Sequence, residues 1–379
     1  MSCFQCLSSN KQGNNKTFYP PLEKTYFTSF ENYRKYMESI IVKNKEIDDL
    51  YELFPKSKIH EETNSKSPFN NQRRGSLYKE VNFISKDYNN IKYPNLDINC
   101  YSVKNSSNLK NEIILLRIRN KCLDNNGNNE KNNFILKNDN EEDFISGKLK
   151  FSNKNIDKDT LSVDSELSDK SEKITLLVSH SNSDDLGIIF PRLCDLATVL
   201  KCDVISYDYS GYGCSKNKPS YSSLKNDIIA VINFSVDTFD LKYENIVLLS
   251  FNIGAIPSIY ISSLSTYCSI RGMILVSPKL NFIKKFNYSY INEVICPVFI
   301  IQGEFEENVE QKEISKFAKR FKESIHWEVK NGQNYEDIID DNRSKFFKKI
   351  RKFLSHVNTT RIKISQSIAD SKDDIKIPK

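Results

Sequence analysis

Residues 248–254 read Leu-Leu-Ser-Phe-Asn-Ile-Gly, where the chain is placed to present a nucleophile. The apolar stretch Ile246-Val247-Leu248-Leu249 runs into a turn and then a helical stretch from Ile253. Strand, sharp turn and helix are the setting of the G-x-S-x-G elbow, which presents a serine hydroxyl to an acyl carbon. Ser250 stands where the first glycine belongs, and Asn252 where the serine belongs. An amide is not a nucleophile at neutral pH, because its nitrogen lone pair is delocalised into the carbonyl. Asn nevertheless tolerates the strained positive φ of that position better than most residues. The residues therefore point to acyl-transfer architecture with the attacking atom replaced.

The remaining chemistry is expected at the C-terminal ends of the other strands. After 174–179 comes His180-Ser181-Asn182-Ser183. A loop here and the residue after the nucleophile, Ile253, supply the N–H groups of an oxyanion hole. A glycine at 181 would allow close backbone approach, and this chain carries Ser181. His180 reads either as a hydrogen-bonded structural residue or as a base for a displaced nucleophile. After 204–207 comes Asp208-Tyr209-Ser210-Gly211-Tyr212-Gly213, a rigid turn or a pocket wall. After 298–301, Glu306 is the best candidate for an acid. The loop 330–335, Lys-Asn-Gly-Gln-Asn-Tyr, should carry the general-base histidine and carries none. Of the other histidines, His326 sits inside a strand, His356 near the end of the last helix and His60 in a polar stretch.

These loops need a scaffold, and strand-helix alternation supplies one. Strands are expected at 174–179, 204–207, 246–249, 273–276, 298–301 and 325–329. Helices are expected at 186–200, 221–236, 253–264, 309–321 and 344–356. Short continuous apolar strands between helices mean an α/β, mostly parallel, doubly wound sheet with helices on both faces. Leu96–Val103 and Glu112–Ile118 suit antiparallel edge strands. The expected layout is an N-terminal membrane-anchoring segment (1–55), a disordered linker (56–91), one domain (92–357) and a polar tail (358–379). A low-complexity insertion fills 122–172.

Composition narrows the function classes. The chain has 379 residues, 39% hydrophobic and 27% charged, enough for one sizeable core. A mean hydropathy of -0.53 points to a polar, partly disordered share. The net charge of +6 is mild, and no Lys/Arg stripe with interleaved aromatics forms a nucleic-acid footprint. Nine dispersed cysteines argue for a reducing compartment. No run approaches the ~20 apolar residues of a membrane span, and no signal-peptide h-region is expected. A calcium loop beginning at Asp124 fails, because its sixth and twelfth positions hold Asn129 and Ile135. No metal and no cofactor are expected. Cys3 and Cys6 lie beside Phe4 and Leu7, with Lys11 and Lys16 behind. They read either as a dual S-acylation site, since two chains anchor stably where one binds reversibly, or as ordinary thiols.

The sequence also resembles a known family. Leu177-Val178-Ser179-His180-Ser181-Asn182 with Asp185-Leu186-Gly187 resembles the LLFSHGNAVDLG block of the alpha/beta-hydrolase domain-containing protein 17 group, which are protein depalmitoylases. Ser206 to Gly213 is similar to that group's SYDYSGYG. Ile253-Gly254 with Pro257, Val276-Ser277-Pro278, and Cys296-Pro297-Val298 are similar to its elbow helix and two later strand ends. The Cys3/Cys6 pair and Phe18-Tyr19-Pro20-Pro21 are similar to its acylated cluster and the segment after it. The resemblance spans most of 1–56 and 92–356. It implies an alpha/beta-hydrolase fold, acylation of Cys3 and Cys6, and attachment to the cytoplasmic face of a membrane. It also implies a triad whose nucleophile falls on Asn252, acid on Glu306 and base on Asn334.

Two readings follow. In the first, the chain is a catalytically impaired member-like protein, a membrane-tethered fold that binds an acylated protein, a lipid or a partner. Without an attacking group and its base, double displacement is closed. In the second, it is an active thioesterase or esterase with a relocated nucleophile, Ser181, Ser250 or Cys214, and a base such as His180.

Overall fold

The computed structural model describes residues 18, 20–21, 25–28, 32, 78–85, 93, 95–105, 108–123, 173–306 and 311–373. Cys3, Cys6, His60 and most of the expected linker and insertion lie outside them.

The apolar runs become the strands of one nine-stranded sheet. Its parallel part is β6 (Thr175–Ser179), β7 (Asp203–Tyr207), β8 (Ile246–Phe251), β9 (Gly272–Val276), β10 (Val298–Gly303) and β11 (Ser324–Val329). Its antiparallel edge is β2 (Tyr78–Val81), β4 (Leu96–Asn105) and β5 (Asn108–Asn120). The order is β11-β10-β9-β8-β6-β7-β5-β4-β2, with β5 antiparallel to β7. A separate ribbon joins β1 (Tyr26–Phe27) to β3 (Ile84–Ser85).

Alternation along the parallel strands divides the core into two layers. Leu177, Ile205, Leu248, Leu275 and Ile300 face one layer. It is covered by α2 (Tyr221–Phe239), α3 (Ala255–Ser263), α4 (Leu280–Asn287), α5 (Tyr290–Glu293) and α6 (Gln311–Ala318). Leu176, Val178, Val247, Leu249, Ile274 and Ile301 face the other. It is covered by α1 (Leu186–Leu200), α7 (Tyr335–Asp340) and α8 (Arg343–Asp373). Burial on both faces is why β6 to β10 are mainly apolar and not alternating, whereas the edge strand β11 is half-buried and mixed. Helices on both faces, mainly parallel strands and an antiparallel edge make this the alpha/beta-hydrolase fold.

The structure departs from the sequence expectation in several places. Residues 78–85 lie within the expected linker, yet β2 and β3 form there. β2 reads Tyr-Lys-Glu-Val, too polar to stand out, and is held by its ladder to β4. The last helix continues through Asp373 past the expected boundary at 357, so His356 lies mid-helix. The short helices α4, α5 and α7 were too brief to carry a period.

Candidate reaction centre

β8 is buried along its whole length and delivers Asn252 at φ +57, followed by one 3-10 turn (Asn252–Gly254) and α3. The left-handed elbow conformation is therefore kept, at a residue that adopts it readily. Gly254 lets this turn lie against β6, since a Cβ there would stand 2.3 Å from the Ser179 carbonyl oxygen. Asn252 Oδ1 is buried and has no hydrogen-bond partner among the described residues. Ser250 Oγ lies 2.6 Å from Ser258 Oγ on α3, with both residues fully buried. That hydroxyl is occupied inside the strand-helix interface. Ile253, Ser181 and His180, the expected oxyanion-loop positions, are all fully buried.

His180 is also fully buried. Its Nδ1 lies 2.7 Å from the Ser181 carbonyl oxygen, and its Nε2 stands 3.3 Å from Asp208 Oδ1. Tyr209 packs on the ring at 4.1 Å between centroids and donates its hydroxyl to the His180 carbonyl at 2.6 Å. Burial alone would push the imidazole's pKa down, but Asp208 outweighs it and raises the pKa. Nε2 thus faces a carboxylate and not a serine or cysteine, although it makes no hydrogen bond of good geometry among the described residues. Ser181 Oγ bonds within its own loop, to Asn182 at 3.2 Å. Cys214 Sγ donates to the Tyr26 carbonyl at 3.4 Å. Each candidate for a relocated nucleophile or base is thus engaged in a structural contact.

Glu306 is 5% exposed, and Gln302 Nε2 donates to its Oε2. Burial raises its carboxyl above the ordinary glutamate range, against the opposing pull of Ser277, Lys279 and Gln302. Asn334 is exposed, and its side chain accepts from the Asp337 N–H at 2.9 Å. It is the N-cap of α7, so the asparagine at the expected base position has a structural purpose. His326 lies in β11, and burial lowers its pKa. His356 Nε2 is 2.9 Å from Glu323 Oε1.

The structure adds residues that sequence reading did not single out. Tyr26 donates its hydroxyl to Asp208, and Thr25 to Asp185. Both come from a short strap whose partners are far away in sequence, so no local pattern could flag them. Tyr335 donates to Asp184 at 2.8 Å, and its ring packs 5.6 Å from Phe251 beside the elbow. A surface pocket of about 190 Å³ between α1, α7 and α8 is lined by Arg192, Asp195, Arg343 and Phe347, and by no reaction-centre residue.

No family model matches the chain. Its curated homologues are alpha/beta hydrolase domain-containing proteins, several of them of the 17B and 17C kinds. Protein aho-3 of Caenorhabditis elegans is 27% identical over 211 residues, covering 52% of this chain and 62% of that protein. Protein 17C of Homo sapiens is 28% identical over 200 residues, covering 49% and 59%. The chain thus spans less than two thirds of their length. Among solved structures, an esterase of Pyrococcus furiosus superposes with a TM-score of 0.48 at 15% identity, over 69% of this chain and 93% of that one. A predicted CIB-like hydrolase of Thermoplasma acidophilum gives 0.43 at 11% identity, over 68% and 98%.

Proposed function

We propose that this hydrolase-fold chain does not cleave esters or thioesters and acts as a binding protein. Its ligand is an acylated protein, a lipid or a partner surface, met at the cytoplasmic face of a membrane to which acylated Cys3 and Cys6 tether it. One observation carries the reading. The elbow presents Asn252 at φ +57 where an attacking oxygen is required. The base loop supports it by presenting a helix cap, Asn334, in place of an imidazole. A nucleophile and its base act as a unit, so lacking both costs about as much as lacking either.

Thioester turnover by the purified full chain tests this. Wild type is expected at the uncatalysed rate. The pair Asn252→Ser with Asn334→His restores a hydroxyl and an imidazole at the two positions. It is expected to gain turnover, at about 1 kcal/mol of stability for the lost cap. Wild-type turnover above background that vanishes in His180→Ala would contradict the proposal.

A further inference from the structure

Four buried oxygens at and just after the C-terminal ends of β8, β9 and β10 lack a hydrogen-bond partner of good geometry among the described residues, the Ser277 hydroxyl being the donor that stands beside Glu306. Register sets three of their residues side by side. Phe251 pairs with Val276 and Val276 with Ile301, so Asn252 and Ser277, just past their strands, fall on one rung with Gln302, which is still within β10. The Ser277 N–H donates to the Ile301 carbonyl at 2.8 Å and holds that rung together. Glu306 joins them through its bond from Gln302 Nε2. Because the Gln302 nitrogen is used there, its oxygen is the remaining end of that amide. Asn252 Oδ1, Ser277 Oγ, Gln302 Oε1 and Glu306 Oε1 are all buried without a hydrogen-bond partner among the described residues.

Buried polar atoms are nearly always paired, and a group of them at one edge calls for a shared partner. As placed, Asn252 Oδ1, Gln302 Oε1 and Glu306 Oε1 can only accept, while the Ser277 hydroxyl can do either. We infer that this edge binds a primary ammonium group of a ligand. An alkylammonium carries three N–H donors and no acceptor, which matches the three accepting oxygens. Its single charge matches the single carboxylate. A carbonyl or carboxylate headgroup would instead meet acceptors and be repelled. A divalent metal is poorly served, since Ca²⁺ takes six to eight oxygens and Mg²⁺ a near-ideal octahedron. Lys279 lies within electrostatic reach of Glu306, but no hydrogen bond reaches Oε1 from it. The inference rests on the reading that this centre does not hydrolyse, and it names the chemistry of what the centre holds.

Calorimetric titration of the full chain with hexylamine, hexanol and hexanoate tests it, with thioester turnover measured on the same preparation. Hexylamine is expected to bind about ten- to a hundredfold tighter than hexanol, the worth of a charge-assisted hydrogen bond. Hexanoate is expected not to bind. Glu306→Gln is expected to remove most of the amine preference. The isosteric Asn252→Asp, which adds a second negative charge, is expected to increase it, and this gain of binding needs only a folded variant. Equal binding of amine and alcohol, the signature of a merely hydrated pocket, would overturn the inference. So would displacement of hexylamine by equimolar Na⁺ or K⁺, or an amine preference seen only in Lys279→Met, which would mean the chain fills the site itself. Wild-type turnover would sink the functional reading, whereas no turnover and no amine preference would sink this inference alone.

Discussion

Asparagine at 252 keeps the backbone of an elbow and gives up its hydroxyl. At Asn334, where the resemblance puts the base, the side chain caps a helix. His180, the base of the alternative reading, is held at Nδ1 by the Ser181 carbonyl and turns Nε2 toward Asp208. This arrangement has a thermodynamic signature. Asp185 caps α1, and its carboxyl is pushed up to about 6 by burial and by the nearby Asp208, against the pull of Thr25, the Ile188 N–H and His180. The folded chain therefore binds the Asp185 proton more tightly than the unfolded chain does. The associated stability is full below the unfolded pKa, about 3.9, and is lost as pH rises through about 6. His180 has the same sign, its folded pKa also being raised, so its contribution fades at higher pH. Asp185→Asn keeps a capping oxygen and removes the titration. Urea denaturation at about pH 4 and pH 7 should show wild type losing about 1–3 kcal/mol more than this variant over that interval. Equal losses would refute the argument.

At the scale of elements, the turn from β8 into α3 determines where Asn252 points, and Gly254 determines how close that turn comes to β6. Gly254→Ala places a methyl 2.3 Å from a backbone oxygen that cannot swing away. It should cost about 1–3 kcal/mol as overpacking, measured by chemical denaturation. A neutral outcome would show that the elbow is not held against β6. The elements around the centre were legible because strands buried on both faces must be mainly apolar. Leu186–Leu200 was readable to the residue from its apolar face. Ser250, one of the candidate relocated nucleophiles, instead touches Ser258 on the helix after the turn. The strap was not legible. Tyr26 owes its place to Asp208, a partner 182 residues away, and two flanking strand residues cannot announce that. Nor could sequence reveal that Asn334 caps α7, because a six-residue helix carries too little period to be seen before its cap.

As a whole molecule, the chain combines a two-layer hydrolase scaffold with a reaction centre of orphaned acceptors. No helix among the described residues is long and apolar enough to cross a membrane. The proposed membrane tether is acylation of Cys3 and Cys6, since two acyl chains suffice for stable anchoring. Fractionation of cells expressing the Cys3→Ser/Cys6→Ser chain should move it from the membrane pellet to the supernatant, and unchanged pelleting would refute the tether. The central claim is more direct, and covalent chemistry decides it. Purified wild-type chain is exposed to a serine-hydrolase activity probe, and its intact mass is read by mass spectrometry. The account predicts an unmodified chain beside an Asn252→Ser/Asn334→His chain that gains one adduct. An adduct on the wild-type chain, mapped to Ser181, Ser250 or Cys214, would contradict it.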